Sequence, residues 1–401
     1  MAHILYLTYD GLTDNLGRSQ IIPYINGLAQ IGHFIWVISV DKADHYATRH
    51  TEVESQLHSS ISWVSIRYTK RPPLLSTIYD LRRMQKAASQ LVREKRIQTV
   101  HVRSYPPMSI ALKLAQSHGV KVLFDMRGFY PEERIEGGIW NLRNPIHRAV
   151  YNRLKKKELN FIEKADHIIS LTEKAKNILM DTFNVSGSKV TVIPCCADFE
   201  HFRLAQTKPP LQPLKVLYLG SLGTWYLIPT LVQFFQRTQE IYPDAQLHVI
   251  TGDHPEQLYL EAGRLGVASS SIHCRSAERE EVPELIGACH LSVFFIKDSF
   301  SKSASSPTKL AEILASGRPV ICNGEIGDLN RLSTQLTGLY TLHLSDIETI
   351  DLSKVIEQLM DLDPNAIRNS AKEILDLDVA IAAYTRVHAG LSDQNSSTSV
   401  Q

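Results

Sequence analysis

Short, continuous apolar segments alternate with helical patterns along this chain of 401 residues, and the alternation runs through the sequence twice. Residues 4–8 and 120–124 are examples in the first half, and 215–219 and 291–295 are examples in the second. Continuous apolar strands separated by helices are typical of parallel strands that are covered on both faces. The sequence therefore predicts two doubly wound α/β domains, each of which binds ligands beyond the carboxyl ends of its strands.

The chain is longer than one hydrophobic core usually supports, so two domains are expected. We predict a first domain at 1–203, a linker at 204–213 that holds three prolines, and a second domain at 214–375. A closing helix is predicted at 376–391, followed by a polar, serine-rich, disordered tail at 392–401. Two facing domains of this kind would enclose a cleft of nucleotide size.

Composition excludes several classes of protein. The hydrophobic fraction of 43% and the charged fraction of 21% are those of an average globular chain, which excludes a disordered, collagenous or coiled-coil protein. No apolar run approaches the roughly 20 residues that a membrane span needs. The first strand lacks the features of a signal peptide, and the five cysteines show no C-x-x-C spacing. A cytosolic protein with reduced thiols is expected.

Charge is distributed unevenly between the two halves. Residues 1–200 hold 27 Lys and Arg against 19 Asp and Glu, whereas the remainder holds 16 against 23. Two basic stretches, 70–96 and 143–164, alternate with apolar positions, so they suit contact with an anionic membrane surface. A solvated helix face is the alternative interpretation. The overall charge of the chain is +1. We expect no nucleic-acid partner.

The strongest local signal in the second half is the segment 305–321, which has the form of a capped helix followed by a strand. Ser306 is a good N-cap, Pro307 suits the first helical position, and Gly317 suits the C-terminal stop.

The start of that predicted helix has the features of an anion site. Backbone N–H groups near Thr308 and Lys309 lack intrahelical partners, and the helix dipole and the lysine charge add to their attraction for an anion. Glu312 lies about one turn later on the same face. The pattern suits a nucleotide diphosphate with its ribose hydroxyls on the carboxylate, and an ordinary capped helix with a solvated glutamate is the alternative.

Glycine and polar residues follow the first strand. Gly17 permits close backbone approach to a phosphate or a sugar, although a simple turn glycine is the alternative. Asn15 and Arg18 are candidate hydrogen-bond donors in the same loop.

Charged residues also concentrate where the strand at 120–124 ends. Arg127 is a candidate for holding a phosphate or sugar hydroxyls, with Asp125 orienting it, and an internal Asp–Arg pair that only shapes the loop is the alternative. Arg103 ends another strand and is predicted to line the same cleft.

Four segments in order resemble glycosyltransferase family 4, the retaining nucleotide-sugar transferases of GT-B fold: 10–33, 192–202, 217–222 and 305–321. This resemblance covers most of the chain. It implies two facing Rossmann-like domains with an interdomain cleft, a last helix that crosses back to the first domain, and catalysis without a metal or other cofactor. It also implies that Gly17, Gly220 and Ser221 lie near the donor.

Two departures from the family pattern affect the donor site. The family often has a glutamate where this chain has Ala304, and it commonly has Arg and Lys after the position of Gly220, where this chain has an uncharged loop, 221–225. A branch with a Ser-Pro-x-Lys-x-x-Glu helix tolerates both changes, and this sequence matches that branch. We infer that Lys302 or Lys309 replaces the missing charge.

The resulting prediction is a cytoplasmic, metal-independent, retaining hexosyltransferase-like enzyme, with Arg127, Lys309 and Glu312 as its catalytic residues. It would move a sugar from a nucleotide diphosphate donor to a saccharide or lipid-linked saccharide in surface polysaccharide or glycoconjugate synthesis. Ser306, Thr308 and Lys302 would assist on the donor side. The alternatives are a nucleotide-sugar 2-epimerase of the same fold and a non-catalytic nucleotide-binding scaffold. The Asp-x-Asp pairs at 361/363 and 376/378 are interpreted as helix-start charges rather than metal ligands.

Overall fold

The computed structural model describes residues 1–72, 74–205, 209–210 and 212–398. The chain forms two compact units. The first unit comprises Met1–Pro194 together with the residues from Leu377 onward, and the second comprises Cys195–Asp376.

The first unit is built on a sheet of parallel strands in the order β3-β2-β1-β4-β5-β6-β7. Its strands are β1 (His3–Thr8), β2 (Phe34–Asp41), β3 (Ile61–Arg67), β4 (Thr99–Arg103), β5 (Lys121–Asp125), β6 (His167–Ser170) and β7 (Val190–Val192). Its helices are α1 (Asn15–Gln20), α2 (Ile22–Gln30), α3 (Ala43–Gln56), α4 (Leu75–Glu94), α5 (Met108–His118), α6 (Tyr130–Glu136), α7 (Pro145–Lys164) and α8 (Glu173–Phe183), with α16 (Leu377–Thr398) at the end of the chain.

The second unit has a parallel sheet in the order β10-β9-β8-β11-β12-β13. Its strands are β8 (Lys215–Leu219), β9 (Gln246–Ile250), β10 (Ile272–Arg275), β11 (Leu291–Phe294), β12 (Val320–Asn323) and β13 (Leu339–Leu342). Its helices are α9 (Ile228–Ile241), α10 (Glu256–Arg264), α11 (Val282–Gly287), α12 (Thr308–Ala315), α13 (Leu329–Ser333), α14 (Leu352–Met360) and α15 (Pro364–Leu375).

The strand order of each sheet reverses at its first strand. The reversal lies between β1 and β4 in the first unit and between β8 and β11 in the second. Helices cover both faces of such sheets, which is why the central strands β1, β4 and β11 are almost fully buried. Ligands of doubly wound sheets bind beyond the carboxyl ends of the strands at this reversal, so the loops after β1, β4, β8 and β11 are where a site is expected.

The unit boundary differs from the predicted one at 203. The chain enters the second unit at Cys195, because Phe199 and Phe202 are buried in that unit's core and Arg368 donates hydrogen bonds to both of their carbonyl oxygens. Most of the predicted linker, 204–213, is described, whereas 206–208 and 211 lie outside the described residues.

The closing helix is longer than predicted. It runs to Thr398 instead of ending at 391, so the segment from 392 to 398 is helical where we expected disorder. Gly390 lies inside this helix and does not terminate it, and no proline follows to break it. Residues 399–401, the end of the predicted tail, lie outside the described residues.

One strand, β3, lacks the sequence pattern from which the sheets were predicted. It lies at the edge of the first sheet, and most of its residues are only half buried, so it lacks the continuous apolar run of the central strands. Within the described part of the chain, no helix combines the length and the apolar character that a membrane span requires.

Candidate functional site

A glycine opens the loop that follows β8, at the strand reversal of the second unit. Gly220 has φ of +123°, a conformation that residues with a side chain rarely adopt. A Cβ atom at this position would lie 2.7 Å from the Nζ atom of Lys309. The backbone angle therefore favours glycine at this position, and a larger residue would also displace the lysine.

A carboxylate that sequence reasoning missed holds this loop in place. Asp253, in the loop after β9, accepts hydrogen bonds from the Ser221 hydroxyl at 2.5 Å and from the Leu222 N–H at 2.8 Å. These hydrogen bonds lower the pKa of Asp253. The Tyr218 hydroxyl donates to the carbonyl oxygen of Ser221 from the other side. The predicted donor loop is thus fixed from two neighbouring strands.

Lys309 lies in an aromatic cage at the start of α12. Its Nζ atom is 4.0 Å from the ring centroid of Tyr226, 4.9 Å from that of Tyr218 and 5.4 Å from that of Phe294. Lys309 is only 7% exposed, and its Nζ atom has no hydrogen-bond partner. Burial lowers its pKa from the ordinary 10.5 to about 7. A cation with unused donor capacity is therefore held next to Gly220.

Glu312 lies one turn further along α12 and is paired with a residue that the sequence did not indicate. The Arg279 Nη1 atom is 3.7 Å from the Glu312 Oε1 atom, and 12% of the Glu312 side chain is exposed. Burial raises the pKa of Glu312, while Arg279 and Lys309 oppose that shift. The carboxylate is therefore a partly buried hydrogen-bond acceptor, held on the same helix face as Lys309.

The remaining donor-side candidates lie on the segment that leads into α12. Lys302 is buried, with its Nζ atom 3.8 Å from the ring centroid of Trp225. Ala304 is buried as well, so no carboxylate occupies its position. Thr308 is half buried at the first position of the helix.

The prediction that Ser306 caps α12 is wrong. Pro307 occupies the cap position with extended backbone, and the Ser306 hydroxyl instead accepts a hydrogen bond from the Cys195 N–H at 3.0 Å. No side chain caps the helix start, so the N–H groups at its first turn are not used by a cap. Gly317 does follow the end of the helix with φ of +71°, as predicted.

In the first unit, a buried carboxylate gathers charged side chains at the ends of β4 and β5. The Asp125 carboxylate is 3.7 Å from the Arg127 Nη1 atom, 4.0 Å from the Arg103 Nη1 atom and 3.7 Å from the His101 Nε2 atom. It also accepts a hydrogen bond at 3.1 Å from the hydroxyl of Tyr384 on α16. Burial alone would raise the pKa of Asp125, but Arg127, His101 and Arg103 together lower it to about 2.

Arg103 and Arg127 meet beside α1. The Arg103 Nε atom donates to Asp10 at 3.3 Å, and its Nη1 atom reaches the carbonyl oxygen of Gln20 at 3.5 Å. The Arg127 Nη2 atom reaches the Gln20 side-chain oxygen at 3.5 Å. Arg127 has φ of +59°, a strained angle for a residue that is not glycine. The buried Arg103 and the partly buried Arg127 thus share one carboxylate at the end of β5.

The other first-unit candidates have structural contacts instead. A Cβ atom on Gly17 would lie 2.1 Å from the carbonyl oxygen of Gly11, so the chain's own backbone explains this glycine. The Arg18 Nη2 atom pairs with Glu52 on α3 at 2.5 Å, and Asn15 accepts from Arg49 on the same helix at 3.3 Å. These contacts hold Asn15 and Arg18 against α3.

A second missed carboxylate fixes the loop after β1. Asp41, at the end of β2, accepts hydrogen bonds from the Thr13 N–H at 3.1 Å and hydroxyl at 3.0 Å, from Ser39 at 2.5 Å and from Ser65 at 2.9 Å. The partners are all Ser or Thr residues. Their short polar side chains are the one sequence signal that points to this network.

Among the described residues, no group of three or more His, Cys, Asp or Glu side chains is arranged to hold a metal ion. Asp363 caps α15 by accepting from the Asn365 N–H at 3.1 Å, as the helix-start interpretation predicts. Asp376 lies between α15 and α16.

Part of the chain is similar to a known protein family. Residues 23–201 match the family Glycosyltransferase Family 4. No curated protein matches the sequence.

Solved structures match both units along nearly the whole chain. A glycosyltransferase from Rickettsia africae has a TM-score of 0.69 at 15% identity, with 97% of this chain and 98% of that chain covered. Sucrose-phosphate synthase from Thermosynechococcus elongatus also has a TM-score of 0.69, at 13% identity and with 98% and 99% covered. HepE from Anabaena, in complex with UDP-glucose, has a TM-score of 0.67 at 12% identity, with 97% and 100% covered.

The fold prediction is confirmed: the chain has two parallel-sheet α/β domains, and its structural neighbours are GT-B glycosyltransferases. The sequence match over the first unit and these neighbours together support the glycosyltransferase family.

Proposed function

We propose that this protein is a retaining glycosyltransferase. It moves a sugar from a nucleotide diphosphate-sugar to a saccharide or lipid-linked saccharide, in the synthesis of a surface polysaccharide or glycoconjugate. The bond between the anomeric carbon and the diphosphate oxygen breaks, and a bond to the acceptor hydroxyl oxygen forms. The hydroxyl proton passes to the departing diphosphate, so this proposal needs no protein base.

One observation carries the proposal: the buried Lys309 lies in the first turn of the uncapped helix α12, and its Nζ atom, which has no hydrogen-bond partner, lies next to Gly220. A helix start and an adjacent cation together bind phosphate groups, and glycine lets the phosphates approach the backbone. Glu312, one turn away, is placed to accept hydrogen bonds from ribose hydroxyls, with Arg279 holding its carboxylate. We assign the nucleotide to the second unit on these grounds.

Stabilisation of the departing diphosphate is the electrostatic task of such a site. Fixed dipoles and cations in a site with little water stabilise developing negative charge more strongly than water does. Lys309 and the α12 start supply these groups, and Lys302 is proposed to add a second cation beside Trp225. Closure over the donor would exclude water and so limit hydrolysis.

We assign the sugar and acceptor side to the Asp125 cluster of the first unit. Arg127 is proposed to contact the transferred sugar or a phosphate, with Asp125 and Arg103 fixing its position. The strained backbone of Arg127 supports this assignment, because strained conformations concentrate at functional sites.

Binding of UDP-glucose is the first test, because HepE from Anabaena was solved in complex with that compound. Unfolding in increasing UDP-glucose should show stabilisation by about 2.7 kcal/mol at 100 times the dissociation constant. Glu312→Ala should lose this effect, whereas Glu373→Ala, an exposed glutamate on α15, should keep it. If a panel of other nucleotide sugars also fails to bind, the proposed function is wrong.

The second candidate function is a nucleotide-binding protein without catalysis. The buried Ala304 favours it, because the family's glutamate is missing from that position. Release of UDP from a bound nucleotide sugar, with or without transfer to an acceptor, would exclude it. Analysis of the released sugar separates transfer from 2-epimerisation.

We further propose that transfer needs no metal ion and takes place on the cytoplasmic face of a membrane. A chelator should leave the turnover of a cognate donor unchanged. An activity that disappears with chelation and returns with Mg²⁺ would overturn the metal-independent mechanism but not the donor site.

A further inference from the structure

Exposed apolar and basic side chains follow one face of α4 in the first unit. They recur at helical spacing along its first three turns: Leu75, Ile78, Tyr79, Arg82, Arg83 and Lys86. The Leu75 side chain is 65% exposed and that of Tyr79 55%. On the opposite side of the helix, Ser76, Asp80 and Met84 are buried. We name the six exposed positions the α4 face.

The turn that leads into α4 extends this face. Tyr68 and Leu74 are exposed there, and so are Lys70 and Arg71. Asp80 fixes the turn to the helix, because it accepts hydrogen bonds from the Thr69 N–H at 3.0 Å, the Thr69 hydroxyl at 2.7 Å and the Tyr9 hydroxyl at 3.1 Å. The apolar side chains are therefore held outward by a docked helix and an anchored turn.

All exposed charge on this surface is positive. Asp80 is the single acidic residue in the sequence from 67 to 86, and it is buried. The exposed basic residues of the same segment are Arg67, Lys70, Arg71, Arg82, Arg83 and Lys86. A partner for this surface must combine apolar and negatively charged groups.

The other basic stretch, on α7, is different. Lys155 is 2.7 Å from Glu132 and is also paired with Glu158, and Lys157 donates to Ser109 at 3.2 Å. The exposed apolar side chains on α7 (Ile146 and Leu159) lie more than three turns apart. Two lysines of α7 are thus engaged within the first unit, and the helix has no continuous apolar patch.

We propose that the α4 face docks this protein on an anionic lipid bilayer. Leu74, Leu75, Ile78 and Tyr79 enter the boundary between headgroups and acyl chains, as the apolar face of an interfacial helix does. The basic residues reach the headgroups, and the Tyr79 hydroxyl stays at the polar level. This inference rests on the membrane part of the proposed function, and lipid binding is measurable without any donor or acceptor.

Sedimentation of the full chain with vesicles tests the proposal. The probes are vesicles that contain phosphatidylglycerol in phosphatidylcholine and vesicles of phosphatidylcholine alone. Wild type should sediment with the first and much less with the second. Leu75→Asp combined with Tyr79→Asp should abolish binding, and Arg82→Glu with Arg83→Glu should weaken it by at least about fivefold for each basic residue lost.

Two matched control variants distinguish binding through this surface from non-specific binding to vesicles. Leu260→Asp changes an exposed leucine on α10 of the second unit, and Arg153→Glu with Lys156→Glu changes exposed charges on α7. Both should sediment as wild type does. Melting temperatures and UDP-glucose binding of all variants show whether each folds and whether the nucleotide site is intact.

The outcomes are distinct. Failure of wild type to bind the anionic vesicles, or equal loss in the Leu260 or α7 variants, overturns the proposal. A dimer in solution that Leu75→Asp dissociates also overturns it, because the face would then bind a second copy. Vesicle binding without nucleotide binding would leave the α4 face in place and refute only the donor site.

Discussion

The buried lysine of the second unit leads to a specific prediction about pH. A diphosphate needs Lys309 in its protonated form, but burial among three aromatic rings lowers the pKa of the free side chain to about 7. Binding of a nucleotide sugar should therefore be accompanied by proton uptake. Both phosphates of a nucleotide sugar are diesters and stay ionised, so the ligand itself adds no titration near neutral pH.

The magnitude follows from the protonated fraction of the free protein. With a pKa of about 7, this fraction falls from about nine tenths at about pH 6 to about one tenth at about pH 8. The dissociation constant should rise about tenfold over that interval and about tenfold more for each further unit. If the phosphate restores the ordinary pKa, the shift amounts to on the order of 5 kcal/mol of differential interaction.

Stability of the free protein should change with the opposite sign. The unfolded chain has Lys309 at its ordinary pKa of 10.5, so between about pH 7 and about pH 10 it binds more protons than the folded chain does. The contribution of Lys309 to the free energy of unfolding therefore rises with pH across this window. As the pH increases, the affinity for the nucleotide sugar therefore falls while this contribution to the free energy of unfolding rises.

Titration calorimetry with the nucleotide sugar that binds, in two buffers of different ionisation enthalpy, measures the proton uptake directly. Lys309→Met should bind weakly and without pH dependence, whereas Lys354→Met, an exposed lysine on α14, should keep the wild-type profile. Glu312→Gln removes the neighbouring titratable carboxylate, so proton uptake that persists in this variant belongs to Lys309. Tight binding with no proton uptake near neutral pH would refute the reasoning.

Three further predictions concern the residues that hold the two sites. Gly220→Ala should destabilise the fold by about 1–3 kcal/mol and weaken nucleotide binding, because the methyl group meets Lys309 and the backbone angle is strained; denaturant titration measures the first effect. Asp41→Ala should cost about 1–3 kcal/mol, because it leaves the Thr13 N–H without its acceptor; it should also speed hydrogen exchange in the loop after β1. Tyr384→Phe should cost about 1 kcal/mol by thermal unfolding and lower turnover more than donor affinity.

Each of these has its own control. Gly252→Ala changes a glycine with open space around it and should leave stability nearly unchanged. Thr13→Val removes one of the two hydrogen bonds that Thr13 donates, so its cost should be smaller than that of Asp41→Ala. Tyr340→Phe, on β13 of the second unit, should not alter turnover. Equal effects in a variant and its control would contradict the corresponding prediction.

The sheets were predictable because strands such as β1, β5 and β8 are apolar at consecutive positions. The edge strand β3 was not predictable in this way, since residues 61–67 mix apolar and polar side chains and most of them are only half buried. The end of α12 was predicted from Gly317, whereas its cap was not, because the competing contact of Ser306 is with Cys195, far away in the sequence.

Some residues of the candidate sites could be predicted from the sequence, and others could not. The adjacent strands β4 and β5 end at Arg103 and Asp125, and Arg127 follows β5. The rule for strand ends therefore predicted that these side chains lie close together. The partner of Glu312 and the cage around Lys309 depend on side chains from separate segments that only the folded sheet brings close. Arg18 resembled a site residue, but it pairs with Glu52 on α3.

The second unit is a single uninterrupted stretch inserted into the first. Its two ends lie side by side, since the Ala197 N–H donates to the Leu375 carbonyl oxygen at 3.0 Å and Ala197 pairs with Asp376 in a parallel bridge. A stretch whose ends meet can be excised, exchanged or circularly permuted with little entropic cost of closure. Recombination at these two adjacent ends can therefore exchange the second unit of such a chain while leaving the first unit intact, without a redesign of either core.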